Sequence, residues 1–75
     1  MRAFLSFELP EDEAAFRLAS RAGDWACVIG GLDQQLRAWI KYGHDFKDAD
    51  TALDAARELL HREILDRGLD IEDAL

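Results

Sequence analysis

Trp25, Ile29, Leu32, Leu36 and then Trp39 or Ile40 step along the chain by four, three, four and three or four residues. That spacing returns to one side of an α-helix every turn, so the middle of the chain is committed to an amphipathic helix. Asp24 stands directly ahead of the run with the side chain of an N-cap. Gly30 and Gly31 interrupt it, and each costs about 1 kcal/mol relative to alanine in a helix interior. Either the helix kinks or breaks there, or two omitted side chains let another backbone approach closely. Trp25 and Trp39 are two heptads apart and share a face. There they pack a core or, with Tyr42 and Phe46, anchor a partner.

The flanking segments predict a mixed fold. Residues 2–9 (RAFLSFEL) alternate, with Ala3, Leu5, Phe7 and Leu9 on one face and Phe4, Ser6 and Glu8 on the other. A period of two with aromatic residues is the pattern of a half-buried strand. Pro10 stops it, and Glu11, Asp12 and Glu13 place three carboxylates at a helix N-terminus. A first helix is expected over 11–22, with Ala15, Leu18, Ala19 and Ala22 as its stripe and Gly23 as its stop. Residues 41–50 form a loop. Asp48 or Asp50 then caps a third helix over 50–67 that ends at Gly68; its stripe is Leu53, Ala56, Leu60 and Ile64, widened by Ala52, Leu59 and Leu65. The tail, 69–75, is either a short strand at 69–72 or a helical turn. A lone strand leaves its N–H and C=O groups without partners. It therefore pairs with the tail, or with its copy in a second subunit. The expectation is an α+β fold: one domain over 1–75, an N-terminal strand packed with three helices, and a homodimer as the second way to complete the strand.

Candidate chemistry is sparse. The segment HDFKDAD (44–50) gathers His44, Asp45, Asp48 and Asp50, but a calcium loop begun at Asp48 meets Ala52, Leu53 and Leu59 where ligands or glycine are required. A looser divalent site from His44, Asp45 and Asp48 stands against plain capping and solvation. His61 lacks a second histidine four residues on, where Leu65 stands. Cys27 reads as a small core residue, and a single cysteine suits a reducing compartment. Gly30-Gly31 has no phosphate-loop context. Seventy-five residues enclose little volume for a substrate. The expected protein is no enzyme and takes no cofactor and no metal. Without an apolar run near eighteen residues or a signal-peptide layout, it has no membrane contact and is cytoplasmic.

Charge narrows the partners. Sixteen acids against nine bases leave −7 at pH 7. That sign disfavours direct binding to nucleic acid or anionic lipid and favours a basic protein surface, or plain solubility. The acids collect at element ends: Glu8 with Glu11–Glu13, Asp45 with Asp48, Asp50 and Asp54, and Asp70 with Glu72 and Asp73. Duplex DNA carries one charge per about 1.7 Å of axis, so a net −7 imitates only about 12 Å of duplex. A local mimic remains within reach, with Glu11, Asp12, Glu13, Asp45, Asp48 and Asp50 as the partner-binding residues.

The pattern FELPEDEAAFRLA…GLDQQLRAWIKYG…ALDAARELL…RGLDIED covers nearly the whole chain. It resembles small proteins encoded by bacteriophages and prophages. The wider class of small acidic phage proteins includes anti-CRISPR and other anti-defence inhibitors. The resemblance implies a stoichiometric inhibitor that covers the basic, nucleic-acid-binding surface of a host defence complex; no motif in the sequence carries that role. The rival is a self-associating structural or adaptor phage protein without inhibitory activity. It would dimerise through Phe4 and the aromatic helix face, sensitive to Phe4→Glu and indifferent to salt.

Overall fold

In the computed structural model, which describes residues 1–75, three α-helices are followed by a single 3-10 turn. Helix α1 spans Glu13–Ser20, α2 spans Ala22–Tyr42, α3 spans Ala49–Asp66, and the turn covers Ile71–Ala74. No β-strand forms, so the protein is all-α and the α+β expectation is overturned. The reason is the missing ladder partner. The tail coils instead of extending, because the Asp70 carboxylate accepts the Glu72 N–H at 3.0 Å and closes a local turn. Residues 2–8 are then left without regular structure, and Phe4 and Leu5 are exposed. Phe7 alone among the first ten residues is half-buried, edge-on to Phe16 with ring centroids 5.6 Å apart.

Helix α1 is shorter than expected, and Gly23 and Asp24 lie inside the first turn of α2 rather than at a stop and a cap. Arg21 is the joint. Its N–H bonds the Arg17 and Leu18 carbonyls at 3.2 and 3.3 Å, and its own carbonyl accepts from Trp25 at 3.1 Å. Backbone bonding thus passes from one helix to the next through one residue, with no room for a glycine stop. Helix α2 runs unbroken through Gly30 and Gly31. At Gly31 a Cβ would stand 3.1 Å from a Glu63 carboxylate oxygen, so the omitted side chain admits a side chain of α3, not a backbone. At Gly30 a Cβ would meet open space.

Asp48 starts α3 as its N-cap, accepting the Thr51 N–H at 2.8 Å. At the other end Gly68 adopts φ +67°, a left-handed conformation that costs other residues roughly 1 kcal/mol or more. Leu69 N–H then reaches the Ile64 carbonyl at 3.0 Å and Gly68 N–H reaches Leu65 at 2.9 Å, the two bonds of a Schellman turn. The turn folds Leu69 back over Ile64. With Val28 these two make the core cluster, against which Trp25, Leu60 and Ile71 pack. Helices α2 and α3 lie antiparallel, and Arg21 Nη2 closes the end of the pair by donating to the Arg67 carbonyl at 2.6 Å.

Little else is covered. Only Val28, Leu59, Ile64 and Leu69 are buried out of 75 residues. Cys27, expected in the core, is exposed. Leu53 and Leu65, expected on the inner stripe of α3, are exposed as well. The α1 stripe is largely uncovered too, because α1 meets only the 3-10 turn and the start of α2. The molecule measures 50 × 29 × 17 Å with a radius of gyration of 16.3 Å, against about 11 Å for a compact chain of this length. Because the cluster is so small, Ile64→Ala is expected to cost about 2–4 kcal/mol in urea unfolding. Leu5→Ala on the extended arm should leave the midpoint unchanged.

Candidate functional site

Helix α2, at about 1.5 Å per residue, is roughly 30 Å long and holds the acidic groups apart. At its N-terminal end α1 packs on the 3-10 turn. The Arg17 guanidinium stands 3.4 Å from both Glu13 Oε1 and Asp73 Oδ1. Glu11, Asp12 and Glu13 therefore share one end of the molecule with Asp70, Glu72 and Asp73. Asp45, Asp48 and Asp50 belong to the loop and helix start at the opposite end. The structure does not bring the six predicted partner-binding residues onto one surface; it divides them three and three.

Several of these carboxylates already have partners. Asp12 accepts the Glu8 N–H at 3.0 Å, and Asp48 caps α3. Asp24 accepts from Arg21 Nε at 2.7 Å and lies 3.6 Å from Arg67 Nη1. The hydrogen bond from Arg21, aided by the charges of Arg21 and Arg67 and opposed by partial desolvation, holds the Asp24 carboxyl below its ordinary value. The Thr51 N–H does the same for Asp48. Arg17, Arg21 and Arg67 dilute the negative field at the α1 end, so the acidity there is a rim around basic groups and not a continuous sheet.

The other candidates take ordinary roles. His44 Nδ1 accepts the Phe46 N–H at 3.2 Å, and the His44 ring stacks on Phe46, which meets Trp39 edge-on at 5.0 Å. No three His, Cys, Asp or Glu side chains converge as metal ligands would. A concavity of about 830 Å³ is an open groove lined by Asp54, Arg57, Glu58, His61, Arg62, Leu65 and Asp66. All seven stand on α3, so the groove is one helix's outer face, not an enclosed pocket.

What sequence reasoning missed is an apolar face. Val28 and Trp39 mark the side of α2 turned to α3, and Ile29, Leu36 and Ile40 lie roughly a quarter-turn onward. On α3 the side turned to α2 is marked by Glu63, which stands against Gly31, and Leu53 and Leu60 lie roughly a quarter-turn onward, on the side of Ile64. In two antiparallel right-handed helices both offsets fall on the same side of the pair. Ile29 is 68% exposed, Ile40 84% and Leu53 68%, with Leu36 and Leu60 half-buried between them. The width of the two stripes was the available signal: each is broader than one neighbouring helix can cover.

The two lowered carboxyls give a signed pH dependence. A depressed folded value adds stability above the unfolded value and loses it as pH falls through the folded one. The thermal midpoint is expected to hold above about pH 5 and to fall progressively below about pH 4. Asp48→Asn, which keeps the cap but cannot ionise, should flatten part of that fall; Asp48→Ala should lower the midpoint at every pH.

No family model matches the chain, and no solved structure matches it. No helix is long and apolar enough to cross a membrane. A shikimate dehydrogenase (NADP(+)) of Syntrophobacter fumaroxidans (strain DSM 10017 / MPOB) is 41% identical to it over 64 residues, which cover 81% of this chain and 22% of that protein. The chain thus spans about a fifth of the length of the relative it is similar to.

Proposed function

We propose that this chain is a small non-catalytic protein-binding module, acting in the cytoplasm by stoichiometric association. The observation that supports it is the apolar face on which Ile29, Ile40 and Leu53 stand exposed beside the half-buried Leu36 and Leu60, in a fold that buries four residues. Large apolar side chains left exposed on one side of a small fold are what interaction surfaces look like. The reading gives the chain no share in the activity named for the dehydrogenase it partly matches.

A second reading has its own support. Glu11, Asp12 and Glu13 gather with Asp70, Glu72 and Asp73 at one end of the molecule, as an acidic inhibitor of the anti-CRISPR type would present them to a basic, nucleic-acid-binding protein surface. Electrostatic contact of that kind sets association rate and salt dependence more than affinity. Asp45, Asp48 and Asp50 would then serve as a second contact roughly 30 Å away.

Affinity capture from a bacterial lysate separates the two. The apolar reading expects proteins retained by the native chain and lost with Ile40→Glu plus Leu53→Glu, at low and high salt alike. The acidic reading expects loss with Glu11→Lys, Asp12→Lys and Glu13→Lys together, and release by salt or competing duplex DNA. Retention that survives both sets overturns both readings.

A further inference from the structure

We propose that the first occupant of the apolar face is a second copy of this chain, with two α2 helices packed antiparallel so that Ile29 of each copy meets Ile40 of the other. The inference rests on the protein-binding reading and names the partner.

Surface area is the first argument. The chain exposes 6358 Å², where a compact body of its mass exposes about 4,650 Å². That excess, about 1,700 Å² per copy, is more than the roughly 800 Å² per partner that a stable dimer interface covers. The irregular N-terminal arm contributes to the excess, and the exposed Ile29, Ile40 and Leu53 supply an apolar part of it.

The second argument is the outer stripe of α2. Ala22, Ala26, Ile29, Asp33, Leu36 and Ile40 step by four, three, four, three and four, the spacing of a coiled-coil seam. Of these only Leu36 is even half-buried; the other five are exposed. The seam is distinct from the Val28–Trp39 side that α3 covers, so α2 carries one stripe for its own chain and another for a neighbour.

Register follows from the residues that break the seam. Pairing two antiparallel seams about a midpoint between residues 34 and 35 sets Ile29 against Ile40 and brings Asp33 of each copy beside Arg37 of the other. Neither Asp33 nor Arg37 takes part in any of the four ion pairs within the chain. One polar position in an otherwise apolar seam is a recognised device for fixing register. The same pairing lays the branched side chain of Ile40 alongside Gly30, where a Cβ of the isolated chain would meet nothing within 4 Å. A mid-helix glycine with no use inside its own chain thereby gains one.

Sedimentation equilibrium of the full chain, from about 0.1 µM to about 100 µM, tests this directly. The expected result is a reversible species of twice 8.5 kDa. Ile40→Glu should weaken it by about a hundredfold or more, with helical circular dichroism retained. Gly30→Leu should weaken it too, although leucine favours the helix of a lone chain. Asp33→Arg and Arg37→Asp should each weaken it and together restore it. A species of 8.5 kDa at every concentration overturns the second-copy inference and leaves the protein-binding reading to the capture experiment. A dimer that ignores Ile40→Glu but dissociates with Phe4→Glu places the contact on the arm and overturns this face. Failure of the double charge exchange to restore association overturns the register.

Discussion

Leu69, turned back by the left-handed Gly68 onto Ile64 and Val28, makes the contact from which the other elements take their positions. Helices of eighteen and twenty-one residues draw most of their stability from packing against other elements. They become a pair because the end of α3 is clamped on the start of α2, by the cluster on one side and by the Arg21 bond to the Arg67 carbonyl on the other. The 3-10 turn follows the reversal at Gly68 and is closed by the Asp70 carboxylate on the Glu72 N–H. Helix α1, which buries no residue of its own, rests on that turn through Arg17 and Asp73. The order of dependence therefore runs backwards along the chain, from the C-terminal turn to the N-terminal arm.

The two ends of the hairpin differ in kind. The clamped end combines apolar contact with a connected set of charges around Arg17, Arg21, Asp24 and Arg67. The loop end is held by the Asp48 cap and the stack of His44, Phe46 and Trp39, with Leu53 and Ile40 open to water. Such an asymmetry makes the loop end the place where local opening is easiest and where a covering surface has most to add. The acidic groups follow the same division, which is why no single pole of the molecule collects them.

How much of this the sequence told depends on how local the cause was. The helix through Trp25 and Trp39 and the stop at Gly68 were legible, and the α3 cap was narrowed to Asp48 or Asp50, because each is decided within a turn or two of backbone. The strand over 2–9 was not, although its alternation is real: a strand needs a second strand, and residues 69–72 satisfied their own N–H groups first. Gly23 and Asp24 misled for a related reason. Glycine and aspartate favour helix ends in general, but Arg21 had already closed the joint two residues before Gly23. The acidic residues cluster along the sequence, and the roughly 30 Å that separates the two ends follows from α2 running unbroken through two glycines. Leu53, Leu65 and Cys27 were assigned inward from periodicity, which gives a stripe its direction but not the number of neighbours available to cover it.

The elongated shape has a hydrodynamic consequence. A radius of gyration of 16.3 Å is what a compact protein of about 190 residues would have. A single copy of this chain will therefore leave a sizing column ahead of a compact globule of its own mass. Elution volume alone would make a lone chain pass for an oligomer. Mass-sensitive detection, by light scattering or sedimentation, is the measure that separates length from number for a molecule built this way.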